Sequence, residues 1–220
     1  MSRMISPTTA VIIAGGDPVP ANELPALPEH RFVIAADSGL HAAQALGLAV
    51  DLVVGDFDSA TSSALDAAEQ DGAVLEQHPV DKDATDLELA LDAALARGLS
   101  PAVVVGGAGF DRIDHFMANA LLLARARYAE LQPQWWVKGA HVAPVHERIE
   151  IHGVPGDIVT LLPIGGAAVG ITANGLRWEL DDETLEPGST RGVSNEMTGP
   201  IASVILARGT LLAIHTPGTA

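Results

Sequence analysis

Short apolar runs alternate with helical patterns through the first 140 residues, and this alternation limits the folds that the chain can adopt. The runs lie at residues 10–14, 32–35, 52–54, 73–75 and 102–105, and Trp135-Trp136-Val137 predicts a further strand. Uninterrupted apolar runs of this length are typical of strands that are buried on both faces. Strands that alternate with helices predict a parallel sheet with helices on both of its faces.

Four helical patterns lie between these strands, at residues 40–46, 62–70, 87–96 and 113–128. In the third pattern, Leu87, Leu91 and Leu95 recur every four residues, so they form one apolar stripe. Gly98 follows this stripe and is a typical helix stop.

The chain changes character near residue 140, where the helical patterns end and short runs separated by Pro and Gly begin. Runs at 202–207 and 211–215 predict a hairpin that turns at Arg208-Gly209. We therefore predict an α/β domain with a doubly wound, mostly parallel sheet over residues 1–140. A small all-β sandwich domain is predicted over residues 141–220.

Composition excludes several classes of protein. The formal net charge of −16 disfavours binding to nucleic acids or anionic membranes, because both require basic patches. Cysteine is absent, so the chain has neither disulfides nor thiolate metal ligands. No apolar run is long enough to span a membrane and no signal pattern is present, so we expect a cytoplasmic protein.

One acidic cluster directly follows the third predicted strand, and a second directly precedes the third predicted helix. They are Gly55-Asp56-Phe57-Asp58-Ser59 and Asp81-Lys82-Asp83-Ala84-Thr85-Asp86. Asp56 and Asp58 would point to one side of extended backbone, and Asp83 and Asp86 would share a face on a first helical turn. Gathered carboxylates repel one another, and Mg²⁺ bound by carboxylates and substrate phosphates relieves this repulsion. The clusters therefore favour phosphoryl-group chemistry.

Each acidic cluster also has a purely structural interpretation. Asp83 could cap the helix with Asp86 as the acidic third residue of a capping box, and Asp56 and Asp58 could be turn residues. Lys82 favours the functional interpretation, because the chain has only one other lysine, Lys138. A lysine within an acidic cluster is placed where a phosphate-binding cation is needed.

Gly- and Asp-rich loops follow four of the strands, and parallel strands bring such loops to one edge of a sheet. The loops are Gly15-Gly16-Asp17, Ala36-Asp37-Ser38-Gly39, the first acidic cluster and Gly106-Gly107-Ala108-Gly109. Their glycines could bring backbone N–H groups close to phosphate, or could simply form tight turns. Neither a P-loop nor a complete dinucleotide-binding glycine pattern occurs, which disfavours a nicotinamide dehydrogenase.

A third polar group, Asp111-Arg112-Ile113-Asp114-His115, follows the fifth strand. Arg112 and His115 lie three residues apart and so would share a helical face. Arginine suits phosphate, and Asp114 and His115 could orient a nucleotide or assist proton transfer. The alternative is an ordinary first helical turn with capping acids.

These motifs together resemble the thiamine pyrophosphokinase family over nearly the whole chain. The resemblance also includes Asn174-Gly175-Leu176-Arg177-Trp178 and Val193-Ser194-Asn195-Glu196. One departure is Phe110-Asp111-Arg112, where the family usually has Gly-Gly-Arg. The resemblance implies transfer of a pyrophosphoryl group from ATP to the hydroxyl of thiamine in one step, giving thiamine diphosphate and AMP. Catalysis would then depend on alignment and charge neutralisation.

The resemblance also implies a set of site residues. The implied Mg²⁺ ligands are Asp56, Asp58 and Asp86, and Asp83 is either a further ligand or the group near the attacking hydroxyl. The implied catalytic residues are Lys82, Asp83, Asp86 and Arg112. The implied ATP contacts are Gly15, Asp37, Asp58, Ser59, Thr85, Arg112, Asp114 and His115. The implied thiamine contacts are Asp83, Trp178, Ser194 and Asn195.

The family resemblance further implies a homodimer, with each thiamine site between the α/β domain of one subunit and the β domain of the other. Trp178 would stack on the cationic thiamine, although a core or interface tryptophan is the alternative. Ser194 and Asn195 could bind the pyrimidine or form a plain loop. Two other functions stay open: a pyrophosphokinase for a hydroxymethyl pterin, which the β domain disfavours, and a nucleotide-sensing module, which the metal-binding carboxylates disfavour.

Overall fold

The computed structural model describes residues 8–109 and 112–218, and the chain divides into two compact units. The first unit runs to Leu122 and also includes Glu130–Lys138. The second unit includes Leu123–Ala129 and continues from Gly139.

Six parallel strands form the sheet of the first unit. They are β1 (Thr9–Ala14), β2 (Arg31–Ala36), β3 (Leu52–Gly55), β4 (Val74–Gln77), β5 (Ala102–Gly106) and β6 (Gln134–Val137). Their order is β6-β5-β1-β2-β3-β4, and each neighbouring pair is parallel. In this register Ala14 lies beside both Ala36 and Gly106, so the carboxyl ends of β1, β2 and β5 are level. The predicted parallel sheet is confirmed.

Four α-helices belong to this part of the chain: α1 (Gly39–Ala45), α2 (Ser62–Gln70), α3 (Asp86–Ala96) and α4 (Ile113–Leu123). Short 3₁₀ helices occur at Ala21–Glu23 and Ala126–Leu131. In the parts of the chain that the structure describes, none of the helices has the length and apolar character needed to cross a lipid bilayer.

The fourth helix is shorter than the sequence pattern predicts, because the predicted helix at 113–128 ends as an α-helix at Leu123. The chain then tightens into the 3₁₀ helix, where the backbone N–H of Tyr128 donates to the carbonyl of Arg125 at 2.9 Å. This turn buries Tyr128 completely. The guanidinium groups of Arg125 and Arg127 lie over its ring at 5.9 and 5.7 Å from the centroid.

The sheet of the first unit is covered on both faces. On one face, Ala35 and Val53 pack against Leu40 of α1 and against Ala64 and Ala68 of α2. Helix α3 contacts β1, β2 and β3 and buries its own apolar stripe against the opposite face. The predicted doubly wound α/β fold is therefore confirmed.

Two antiparallel sheets form the second unit. The strands are β7 (Ala140–Val145), β8 (Arg148–His152), β9 (Ile158–Pro163), β10 (Ala168–Asn174), β11 (Leu180–Leu185), β12 (Asn195–Glu196), β13 (Ile201–Ile205) and β14 (Leu211–Thr216). One sheet has the order β12-β9-β14-β7 and the other the order β11-β10-β13-β8. Side chains of both sheets, such as Leu161, Ile171, Val204 and Leu211, share one apolar core. The predicted β-sandwich is confirmed.

The predicted hairpin at 202–215 is wrong, because its two strands lie in different sheets. Strand β13 pairs with β10 and β8, whereas β14 pairs with β7 and β9, so both edges of each strand are already occupied. The connection crosses from one sheet to the other. Leu206 donates its N–H to the carbonyl of Glu147 at 2.9 Å, and Ala207 donates to the carbonyl of Val169 at 3.0 Å.

Candidate active site

A cavity of about 550 Å³ lies at the carboxyl edge of the parallel sheet. The loops after β1, β2, β3 and β5 form it together with the segment before α3. The sequence candidates that line it are Gly15, Asp37, Asp56, Ser59, Lys82, Thr85, Asp86, Arg112 and His115. Among the described residues, Asp58, Asp83 and Asp114 do not line this cavity. The sheet edge thus brings together most of the polar residues that the sequence singled out in this unit.

Two glycines let the loops approach one another closely. Gly16 has a φ of +120°, and a Cβ there would lie 2.5 Å from the carbonyl oxygen of Ala108. At Gly55, where φ is +154°, a Cβ would lie 2.9 Å from the Cβ of Asp37 and 3.1 Å from Oδ1 of Asp86. A larger residue at position 55 would therefore push these two carboxylates apart.

Three carboxylates converge beside the cavity. Asp37, Asp56 and Asp58 each place an oxygen within 4.8 Å of the others. Asp37 is 95% buried, since only 5% of it is exposed, and its Oδ1 has no hydrogen-bond partner among the described residues. Burial raises the pKa of Asp37. A backbone hydrogen bond from Ser38 opposes this rise, and the negative charges of Asp86 and Asp56 reinforce it. An oxygen-seeking divalent cation fits this donor set, because it would satisfy the buried oxygen and cancel the repulsion.

The backbone brings Asp56 and Asp58 together through a turn, so the expectation of extended backbone is wrong. Strand β3 ends at Gly55, and Phe57 has a φ of +65°. The backbone N–H of Asp58 donates to Oδ1 of Asp56 at 3.2 Å, as in an Asx turn. Asp56 is therefore a turn residue and a member of the carboxylate cluster at once.

Lys82 lies among these carboxylates. Its ammonium donates to Oδ2 of Asp56 and lies 3.0 Å from Oδ1 of Asp86. The side chains of Lys82 and Asp56 are only 12% and 11% exposed. Burial lowers the pKa of Lys82, but the hydrogen bonds to Asp56 and Asp86 outweigh it and leave the pKa raised. The hydrogen bond from Lys82 lowers the pKa of Asp56, so both groups are charged at neutral pH.

Asp83 takes neither the N-cap role nor the position on the first helical turn that the sequence suggested. Helix α3 begins at Asp86, and its N-cap is Thr85, whose hydroxyl accepts the backbone N–H of Glu88 at 3.3 Å. Asp83 precedes the helix and is exposed, so both the N-cap at Asp83 and the helical face shared with Asp86 are wrong. The Thr-x-x-Glu spacing of a capping box is satisfied by Thr85 and Glu88 instead.

Arg112 lies just before α4 and is oriented by its neighbours. Its Nε and Nη2 donate to the two carboxylate oxygens of Asp114, both at 3.1 Å, and Nη2 also contacts Nε2 of His115. The hydrogen bond from Arg112 lowers the pKa of Asp114. Asp114 thus holds the guanidinium of Arg112, which lines the cavity with His115. The sequence departure at Phe110-Asp111 lies outside the described residues.

Three of the four candidate thiamine residues, Trp178, Ser194 and Asn195, belong to the second unit, whereas Asp83 belongs to the first. Trp178 is 48% exposed, so the interpretation as a core tryptophan is wrong. Ser194 is exposed, with a φ of +58°, and donates its N–H to Oγ1 of Thr160 at 3.0 Å. Asn195 is buried, and its side chain holds the backbone of Trp178 at both the N–H and the carbonyl.

Sequence reasoning missed two features of the first unit. It assigned Asp37 to the nucleotide and not to the carboxylate cluster, because only the fold places the β2 loop beside the β3 loop. It also missed Asn119, which lines the cavity and donates from Nδ2 to the carbonyl of Gly107 at 2.9 Å. A polar residue within the apolar pattern of α4 was the available signal. Together with Trp135, which donates to the carbonyl of Gly106 at 2.7 Å, Asn119 holds the Gly-rich loop.

Comparisons with known proteins agree with this geometry. Residues 25–133 match the family model for the catalytic domain of thiamin pyrophosphokinase, and residues 146–211 match the model for its vitamin B1 binding domain. The thiamine pyrophosphokinase of Bacillus subtilis strain 168 is 28% identical over 214 residues, which cover 94% of this chain and 98% of that protein.

Solved structures of similar proteins extend the comparison. A crystal structure of thiamine pyrophosphokinase from Bacillus subtilis matches with a TM-score of 0.83 at 26% identity, covering 96% of this chain and all of the other. The yeast thiamin pyrophosphokinase structure matches with a TM-score of 0.73 over 96% of this chain and 87% of that one. At 13% identity, the yeast structure supports the fold alone.

Proposed function

Because the chain belongs to the thiamin pyrophosphokinase family, we propose that the cavity at the sheet edge is where it pyrophosphorylates thiamine. The reaction is ATP-dependent transfer of a pyrophosphoryl group to the thiamine hydroxyl, and it gives thiamine diphosphate and AMP. The observation that carries the assignment to this cavity is the convergence of Asp37, Asp56 and Asp58 beside Lys82. Such a site can hold a metal ion and a polyphosphate together.

The metal ion is the first part of this proposal. Thiamin pyrophosphokinases generally need a divalent metal ion, and we propose Mg²⁺ here. Asp37, Asp56 and Asp58 would hold it, whereas Asp86, which the family resemblance implied as a ligand, is paired with Lys82 at 3.0 Å. When bound, Mg²⁺ supplies charge neutralisation for the phosphate oxygens.

Lys82 and Arg112 are the proposed contacts of the polyphosphate. Lys82 offers a compact ammonium, and Arg112, whose Nε and Nη2 are bonded to Asp114, offers the charge of its guanidinium to the phosphate oxygens. The thiamine hydroxyl oxygen attacks the β-phosphorus of ATP, and the bond from that phosphorus to the α,β-bridging oxygen breaks as AMP leaves. Asp83, next to Lys82 in the sequence and exposed, is the proposed acceptor of the hydroxyl proton, although it lies outside the lining of the cavity in the free protein.

The products of the reaction test the proposal directly. Incubation of the protein with thiamine, ATP and Mg²⁺ is expected to give AMP and thiamine diphosphate in equal amounts, measured by liquid chromatography. ADP in place of AMP would mean simple phosphoryl transfer and would overturn the reaction. A hydroxymethyl pterin offered in place of thiamine is expected to be inert, because the second unit matches a vitamin B1 binding domain.

Replacing Trp178 tests the thiamine contact. Trp178→Ala is expected to raise the KM for thiamine about five- to thirtyfold and the KM for ATP only slightly. The substitution removes the exposed indole, and with it the stacking of the cationic ligand, which contributes on the order of 1–2 kcal/mol. Trp178→Phe is the matched control and should retain most of the affinity. An unchanged thiamine KM in Trp178→Ala would remove Trp178 from the site.

A homodimer with shared sites is the third part of the proposal. One chain would supply Asp56 and Lys82, and its partner would supply Trp178. The exposed apolar stripe on α4 supports association with another chain, because Ile113, Met117 and Leu121 recur every four residues and are 69, 56 and 50% exposed.

Mixed subunits test whether the sites are shared. Asp56→Asn chains, which are expected to be nearly inactive, and Trp178→Ala chains, which are expected to be weakly active at low thiamine, are mixed under conditions that exchange subunits. Random mixing makes half of the dimers mixed, each with one intact site of two, so about a quarter of wild-type activity should return. A mixture that stays inactive after exchange has been demonstrated by mass spectrometry would mean that each site is built within one chain.

A further inference from the structure

The loop that carries Trp178 is held by backbone contacts to the segment at 195–197. Arg177 donates its N–H to the carbonyl of Glu196 at 2.8 Å, and Trp178 donates its N–H to Oδ1 of Asn195 at 3.0 Å. Nδ2 of Asn195 in turn donates to the carbonyl of Trp178 at 2.7 Å, and Oδ1 also accepts the N–H of Glu196 at 2.9 Å. Asn195 is 7% exposed and uses both acceptor positions and one N–H in these bonds. Its side chain therefore positions Trp178 and keeps only one N–H for any ligand.

One face of the Trp178 ring is already occupied. The guanidinium carbon of Arg177 lies 4.9 Å from the centroid of the ring, within the range of a cation–π contact. Arg177 is itself held, because its Nη1 donates to Oε2 of Glu196 at 3.0 Å. The same residue that accepts the loop backbone thus also orients the guanidinium. A flat ligand can stack only on the opposite face of the ring.

The charge on Arg177 matters because thiamine carries a permanent positive charge on its thiazolium ring. A cation stacked on the open face, about 3.5–4 Å from the ring, would lie roughly 8–9 Å from the guanidinium. At a solvent-exposed site, two unit charges at this distance repel by an amount that corresponds to about two- to fivefold in affinity. The carboxylate of Glu196, bonded to the guanidinium, cancels this repulsion.

We infer that Glu196 is a specificity residue for the cationic ligand, acting through Arg177 and Trp178. The Arg177–Glu196 pair supports one face of the indole while presenting no net charge to the other face. This inference rests on the proposed stacking of thiamine on Trp178. Asn195 is a positioning residue, because its side chain holds the backbone of Trp178 whatever the charge of the ligand.

The test compares thiamine with an analogue in which a neutral thiophene ring replaces the thiazolium. Dissociation constants of both are measured by isothermal titration calorimetry at low ionic strength. Glu196→Gln is expected to weaken thiamine about threefold and to leave the neutral analogue within error of wild type, since only the cation feels the exposed charge of Arg177. The double variant Arg177→Gln/Glu196→Gln, with a neutral pair, should recover most of the lost thiamine affinity.

A variant that moves the Trp178 ring without changing any charge gives the comparison with Glu196→Gln. Asn195→Ala should weaken both ligands alike, by about tenfold, because it misplaces the ring without changing any charge. The Glu196→Gln effect on thiamine should also disappear in about 1 M salt, where charges are screened over about 3 Å.

The possible failures are distinguishable. If Glu196→Gln weakens both ligands equally, or neither, then Glu196 has no charge-dependent role and the inference is wrong while the stacking proposal stands. If Trp178→Ala leaves the binding of thiamine unchanged, the proposed stacking is wrong and the inference falls with it. Wild-type affinity for thiamine in the single variant Glu196→Gln, which keeps the charge of Arg177, would also contradict the charge-dependent role of Glu196.

Discussion

Asp56→Asn is expected to lower turnover at least a hundredfold while the protein stays folded. The substitution keeps an oxygen that can accept the N–H of Asp58, which is bonded at 3.2 Å, so the turn after β3 should survive. It removes one negative charge from the cluster that Asp56 forms with Asp37 and Asp58, and thereby weakens metal binding. Turnover is measured as AMP release at saturating thiamine and ATP.

Two controls accompany this measurement. Asp66→Asn removes the same charge from an exposed position on α2 and should leave turnover unchanged. EDTA should abolish the activity of the wild-type protein, and added Mg²⁺ should restore it. An Asp56→Asn protein with near-normal turnover would show that the carboxylate cluster is not the metal site.

The parallel sheet and the place of the cavity could be predicted because they depend on local patterns and one topological rule. Short apolar runs such as 52–54, separated by helical patterns, are typical of buried strands. Loops at the carboxyl ends of parallel strands meet at one edge, so this rule predicts that Asp37, Asp56 and Lys82 lie along the same edge, whereas the strand order decides which of these loops are adjacent.

Other features could not be predicted because two local solutions satisfied the same pattern. Asp83 and Thr85 are both acceptable caps for α3, and only the backbone path shows that the hydroxyl of Thr85 is the one used. Strands β13 and β14 look like a hairpin, yet the choice of sheet depends on which neighbours already occupy their edges. The bonds of Asn195 join positions 17 residues apart, and no periodicity in the sequence indicates such a contact.

Lys82→Met should reduce both turnover and the stability of the free protein. In the reaction, the ammonium neutralises charge on the transferring group, and loss of one such interaction typically costs about a hundredfold in turnover. Binding of thiamine should change little, because this charge acts in the transition state more than on thiamine itself. Thiamine affinity lost with turnover intact would place Lys82 away from the transferring group.

The stability of the same variant gives a second, independent measurement. In the free protein Lys82 neutralises Asp56 and Asp86, and its side chain is only 12% exposed. Removing one partner of such a largely buried pair leaves uncompensated carboxylates at a cost of about 3 kcal/mol, or roughly 6–12 °C in Tm for a chain of this size. Added Mg²⁺ should restore more of the Tm in Lys82→Met than it adds to the wild-type protein, because the ion then supplies the missing charge.

Lys138 provides the matched control, since it is the other lysine of the chain and also forms an ion pair, with Asp17. Its side chain is 44% exposed, and exposed pairs contribute about 0–1 kcal/mol. Lys138→Met should therefore leave turnover and Tm close to the wild-type values and show no extra response to Mg²⁺. Equal losses of Tm in the two variants would mean that Lys82 contributes no more than an ordinary surface lysine, and the charge balance proposed for the cavity would be wrong.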